Sequence, residues 1–145
     1  MTLYLSSGAV VNPDDHGRAV GYLSPYVNFY RALSARENLR FVAKLRSGDG
    51  HRVDHTLDRV GLTARSSDLV SSYSSGMLQR LRLAAAIMHD PELLLLDEPY
   101  ANVDAPGADV ISEVIDDYLR AARAVVVATN RDDAAGRAGR RITLG

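Results

Sequence analysis

The stretch Pro91-Glu92-Leu93-Leu94-Leu95-Leu96-Asp97-Glu98-Pro99 constrains this chain more than any other. Four consecutive leucines are apolar on both faces, which reads as a buried parallel strand rather than a half-wet antiparallel one. The run ends in two adjacent carboxylates, so Asp97 and Glu98 fall at the carboxyl end of that strand, where open α/β sheets bind their ligands. An acid there can hold Mg2+, and its neighbour can orient or deprotonate water. The plainer alternative is that Asp97 caps the following turn.

Two more runs have strand character, residues 19–23 and 124–128, and the second is also apolar on both faces and expected to be buried. Helical patterns lie between them. Ser34 with Glu37 forms a capping box that opens a helix to about Leu45, with Leu39, Val42 and Leu45 on one face. A second helix is expected over residues 51–60, stopped by Gly61, and a third over 76–89, closed by Pro91. Ile111, Val114, Ile115, Tyr118 and Ala122 recur at helical spacing and predict the longest helix, over 106–122. Strands alternating with helices at this spacing imply an α/β fold with a parallel sheet. Residues 2–5 and 9–11 around Gly8 suit a small hairpin, and 11–18 are polar and turn-rich.

A chain of 145 residues suits one domain, which can bury roughly 68–70% of the surface its unfolded form exposes. There is no cysteine, which fits a reducing, cytoplasmic setting. A formal net charge of -1 gives no electrostatic reason to expect a nucleic-acid partner. The apolar runs are far shorter than the ~20 residues needed to span a bilayer, so membrane contact is expected to be peripheral.

Upstream of the leucine run lies Tyr73-Ser74-Ser75-Gly76-Met77-Leu78-Gln79-Arg80, at the start of the third helix. Small residues at a helix start expose backbone N–H groups, add hydroxyls and aim the positive end of the helix dipole at an anion. That arrangement suits phosphate; taken alone, Ser74 reads as an ordinary N-cap.

Together the two stretches resemble the ABC ATPase family, whose signature usually reads Leu-Ser-Gly-Gly-Gln and is followed at this distance by the Walker B strand. Tyr73-Ser74-Ser75-Gly76-Met77 is a variant of the signature, closest to cassettes of exporter type, and residues 93–99 form a full Walker B. The resemblance extends to Asn102-Val103-Asp104 as the D-loop, to residues 125–129 as the strand before the switch residue, and to Asp132-Asp133-Ala134 after it. Gly21-Tyr22-Leu23-Ser24-Pro25 matches the strand entering the Q-loop, and residues 30–39 the entry to the helical subdomain.

The resemblance implies ATP and Mg2+ as cofactors. It makes Glu98 the general base, Asp97 the support of Mg2+ through water, and Ser74, Ser75, Gly76 and Met77 the contact to nucleotide held by a partner subunit. Asn102 and Asp104 fall at the dimer contact. It implies a partial P-loop-NTPase-type parallel sheet, made of the Q-loop, Walker B and switch strands, with an α-helical signature subdomain. Residues 1–24 and 90–145 are then core sheet and 25–89 the helical subdomain. The implied partners are a second ATPase subunit, in a homo- or heterodimer, and a transmembrane permease; the implied location is cytoplasmic, peripheral on the inner face of the membrane. Tyr26, Phe29 and Tyr30 are candidates for the permease contact, or for burial in the subdomain.

Several positions depart from the family pattern. The switch histidine is replaced by Asn130, which cannot become cationic but can donate a hydrogen bond to a phosphate oxygen. The Q-loop glutamine position holds Pro25, which removes a side-chain ligand and a backbone N–H and leaves Ser24 as the neighbouring polar side chain. No Gly-x-x-x-x-Gly-Lys-Ser/Thr occurs; the one lysine, Lys44, sits inside a helix and is expected to be solvated. The expectation is therefore a cassette shortened before its Walker A loop, with little ATPase activity alone. Because the Walker A strand lies beside the switch strand in the family, 124–128 should then present an apolar edge. The alternative function is a catalytically silent fragment acting through protein contacts. His51 and His55 stand four residues apart without a third ligand, and the arginines between 131 and 141 read as a solvated face.

Overall fold

The computed structural model describes residues 3–4, 10–11, 19–46 and 50–130. Gly8, most of the turn-rich stretch before Arg18, Asp132-Asp133-Ala134 and the arginines from Arg131 onward lie outside the described residues. Strands β1 (Leu3–Tyr4) and β2 (Val10–Val11) pair antiparallel, as expected of the hairpin.

The three longer strands form one parallel sheet in the order β3 (Val20–Leu23), β4 (Leu93–Asp97), β5 (Ala124–Ala128). Leu23 lies opposite Leu96, and Asp97 opposite Ala128, so the three carboxyl ends finish side by side. Leu94 and Leu96 alternate with half-buried Leu93 and Leu95. β5 corrects the expectation of burial. It is parallel, but Val126 is 54% exposed, and only Val125 packs against the core. The reason is lateral: among the described residues the sheet stops at β5, which is hydrogen-bonded along one edge only.

Helix α1 (Ala35–Arg46) opens with the expected box: the Ser34 N–H and hydroxyl donate to Glu37 Oε2 at 2.8 and 2.7 Å, and the Glu37 N–H returns to Ser34 Oγ at 3.2 Å. Those two donors hold the Glu37 carboxyl below its ordinary pKa, the backbone N–H contributing most. Helix α2 (Val53–Arg59) ends at Gly61, whose φ of 66° closes a left-handed turn. The Arg80 guanidinium donates to the Val60 and Gly61 carbonyls and ties that end to the next helix.

Helix α3 (Ser75–Ile87) is apolar nearly all round, with Leu81, Leu83, Ala84 and Ala86 fully buried, as befits a helix enclosed by other elements. It lies on β3, and Gly21 sets the distance: a Cβ there would stand 2.3 Å from the Ala86 carbonyl oxygen and 2.7 Å from Pro91 Cγ. Helix α4 (Ala105–Arg120) buries Ile111, Val114, Ile115 and Tyr118 on one stripe. Its N-cap is Asp104, whose carboxylate accepts from the Gly107 N–H at 3.0 Å, and Pro106 occupies the first turn. Lys44 is exposed, as its helical position predicts.

Candidate functional site at the carboxyl ends of the sheet

Each strand of the sheet ends in a polar residue at the same rim: Ser24 after β3, Asp97 and Glu98 at the end of β4, and Thr129 and Asn130 after β5. The backbone after β4 turns sharply. Glu98 has φ 46°, a left-handed conformation that costs a residue with a Cβ about 1–2 kcal/mol. Five hydrogen bonds fix it. Its N–H donates to the Ala128 carbonyl at 2.8 Å, and its own carbonyl accepts from Ala101 N–H at 3.1 Å and from Gln79 Nε2 at 3.0 Å. Its carboxylate accepts from the Thr129 hydroxyl at 3.1 Å and the Asn130 N–H at 2.8 Å. Strain of this kind persists where several contacts over-determine a residue, and it gathers at working sites.

Asp97 is half-buried beside it, and its carboxylate takes no such bond from the described residues. Asp97 is an oxygen donor of the kind Mg2+ takes, and Ser24 and Thr129 stand at the ends of the neighbouring strands. The alternative role for Asp97, capping the next turn, has no hydrogen bond to support it; the cap that does form downstream belongs to Asp104.

The strand end of β3 runs into a tight turn. Val27 N–H reaches the Ser24 carbonyl at 3.1 Å, with Pro25 at the second position, where its fixed φ suits the turn. The Ser24 hydroxyl, on a buried residue, accepts from Tyr26 N–H at 3.3 Å, so it serves the turn. Phe29 packs against the core, whereas Tyr26 is 85% exposed and Tyr30, also exposed, meets the Phe41 ring edge-on at 5.3 Å.

At the start of α3 the Ser74 hydroxyl caps the helix by accepting from Met77 N–H at 3.2 Å, so the N-cap role is real. Ser74 and Ser75 are nonetheless exposed, and Gly76 and Met77 half-buried, so the helix tip is open to an anion. The Ser75 hydroxyl donates to the Asn102 carbonyl at 3.3 Å, and a Cβ on Gly76 would lie 3.4 Å from the same oxygen. The signature tip and the loop through Asn102 and Asp104 therefore form one surface, with Asn102 itself left-handed at φ 58°.

Three contacts that organise the site are not legible in the motifs. Gln79 is 2% exposed and binds the Glu98 and Pro99 carbonyls; Arg82 binds Gln79; Thr129 holds Glu98. Charge inside the otherwise apolar α3, at Arg82, is a signal that could have found the first two. His51 and His55 lie on and before α2, remote in sequence from this rim, and no group of three metal-ligating side chains occurs among the described residues.

Comparison with known proteins gives the fold and the family. A solved structure, "Structure of ATP binding subunit of ABC transporter", superposes with a TM-score of 0.74 over 90% of this chain and 59% of that one, at 23% identity, which speaks for the fold. A bacitracin transport ATP-binding protein of Enterococcus faecalis is 47% identical over 96 residues, 66% of this chain and 30% of the relative. A fluoroquinolones export ATP-binding protein of Mycobacterium tuberculosis is 36% identical over 129 residues, 89% of this chain and 42% of the relative. The chain thus spans well under half the length of these two relatives. Residues 5–101, a segment that holds both the serine-rich helix tip and the acidic strand end, match the family described as ABC transporter, and the chain belongs to that family.

Proposed function

We propose that this chain supplies the signature and Walker B parts of the ATP site in the ATPase of a membrane exporter. The observation that carries this reading is the strained, fully bonded Glu98 at the rim where all three strands end. Glu98 is the general base that takes a proton from water. Release of one of its two present bonds, to Thr129 or Asn130, frees an oxygen for that proton. Asp97 is the residue that holds Mg2+ through water; the ion, when bound, neutralises charge on the phosphates. The Asn130 side chain donates a hydrogen bond to phosphate without adding charge.

Ser74, Ser75, Gly76 and Met77 face the nucleotide of a second ATPase subunit, and Asn102 and Asp104 line the same dimer contact. The exposed Tyr26 and Tyr30 suit a transmembrane partner, since aromatic side chains favour interfaces. Among the described residues no helix is long and apolar enough to cross a membrane, so the proposed place is peripheral, on the inner face. The names of the two relatives, bacitracin transport and fluoroquinolones export, support drug-like cargo.

A second reading, a catalytically silent partner acting through protein contacts, draws on the same lock on Glu98 and on Asn130 at the switch position. Glu98→Gln separates the two. It keeps the shape and one acceptor but loses the base, and a lost general base costs about 10²–10⁴-fold in turnover. ATPase activity of the transporter assembled from this chain and its partners should fall by that factor while ATP binding persists. Turnover of the assembly that survives Glu98→Gln rules the assignment out, and ATP binding without turnover in the unaltered assembly selects the second reading.

A further inference from the structure

Arg82 reaches from the middle of α3 in two directions. Its Nε donates to the Val27 carbonyl at 3.0 Å, in the turn that follows β3, and its Nη1 donates to Gln79 Oε1 at 3.2 Å. Gln79 is saturated as a result: its amide nitrogen serves the Glu98 and Pro99 carbonyls at 3.0 and 3.1 Å, and its oxygen serves Arg82. A buried amide bonded in this way has one orientation, because the flipped form would set its oxygen against two carbonyl oxygens. Arg82 and the two carbonyls together fix which way Gln79 faces, and Gln79 holds the carbonyl of the left-handed Glu98.

We propose that Arg82 is a positioning residue that transmits the position of the Ser24-Pro25-Tyr26-Val27 turn to Glu98 through Gln79. The planar guanidinium is what makes this work, since it presents donors in two fixed directions, whereas a lysine ammonium at the same place serves one partner or the other. Arg82 stays charged despite partial burial, which lowers its pKa from a very high starting point. Its meaning for hydrolysis rests on Glu98 being the base; the coupling between turn and strand end does not.

The test is amide hydrogen exchange on the chain without nucleotide, read at two reporters: Val27 N–H, bonded to the Ser24 carbonyl, and Ala101 N–H, bonded to the Glu98 carbonyl. Gln79→Leu should speed exchange at Val27 by about tenfold, and Arg82→Met should do the same at Ala101. The double variant should add little to the larger single effect, because both substitutions break one chain of contacts. An Arg82 that only packs would change Val27 and leave Ala101 alone. Protection at Val114, in buried α4, reports whether a variant still folds; where Arg82→Met does not, Arg82→Lys keeps the stem and charge and gives the same cross-effect. Exchange within about twofold of wild type at Val27 in Gln79→Leu, and at Ala101 in either Arg82 variant, overturns the proposal. Because no nucleotide is present, that outcome leaves the assignment of Glu98 standing, and a Glu98 without turnover leaves this coupling standing.

Discussion

Two helices of this chain end in the same left-handed turn, and only one has a glycine in it. After α2, Gly61 N–H bonds the Asp58 carbonyl and Leu62 N–H the Leu57 carbonyl, with Gly61 at φ 66°. After α4 the pattern repeats: Ala122 N–H bonds Leu119, Arg123 N–H bonds Tyr118, and Ala122 carries φ 56°. A Cβ in this region costs about 1–2 kcal/mol, and glycine gives some of that back through its larger unfolded entropy. Ala122→Gly should therefore raise stability by about 0.5–1 kcal/mol, seen as a higher urea midpoint with an unchanged slope. Glu98, at φ 46°, bears the same kind of strain. There a side chain with a charge is kept in place of glycine, and its carboxylate is bonded on both oxygens. The difference separates a helix end that tolerates strain from a strand end where the surrounding bonds hold a strained carboxylate residue in one position.

At the scale of elements, the contact between α3 and β3 is close, and it depends on Gly21. A methyl at that position would meet backbone and a proline ring, neither of which can turn aside. Gly21→Ala should lower stability by about 3 kcal/mol, at the upper end of overpacking costs, measured by urea unfolding with the loss concentrated in exchange protection of β3 and α3. What the sequence disclosed and what it withheld divide along the same line. The capping box of Ser34 and Glu37, the Gly61 stop, the stripe of α4 and the acidic end of β4 are local patterns, so each was legible from a few neighbouring residues. The need for glycine at 21 and the bonding of Gln79 by Arg82 join residues far apart in the chain, and no local period encodes them. The family resemblance puts Asp104 at a dimer contact, and its cap on α4 is not evident from that pattern because one carboxylate type serves both purposes.

For the whole molecule, the open question of packing lies at β5. Ala124-Val125-Val126-Val127-Ala128 has high strand propensity, no charge and no proline, and among the described residues its outer edge pairs with nothing. Folded proteins seldom leave such an edge bare, because unpaired N–H and C=O groups along an apolar strand recruit another strand. The register with β4 places Val126 on the face opposite Val125, and Val125 is the one that packs inward. Val126 thus adds sheet edge and apolar surface at one spot, and little of its side chain supports the fold. Val126→Lys should accordingly cost less than about 1 kcal/mol of stability, since only a fraction of one valine's burial is lost. Its effect should appear in association. Sedimentation of the unaltered chain should show mass rising with concentration, and the lysine variant should remain monomeric over the same range, because a charge on an edge strand blocks a flat apolar partner. Equal behaviour of the two proteins would mean that β5 is already covered in solution, and the surface that recruits a partner would then have to be sought at the exposed tyrosines after β3.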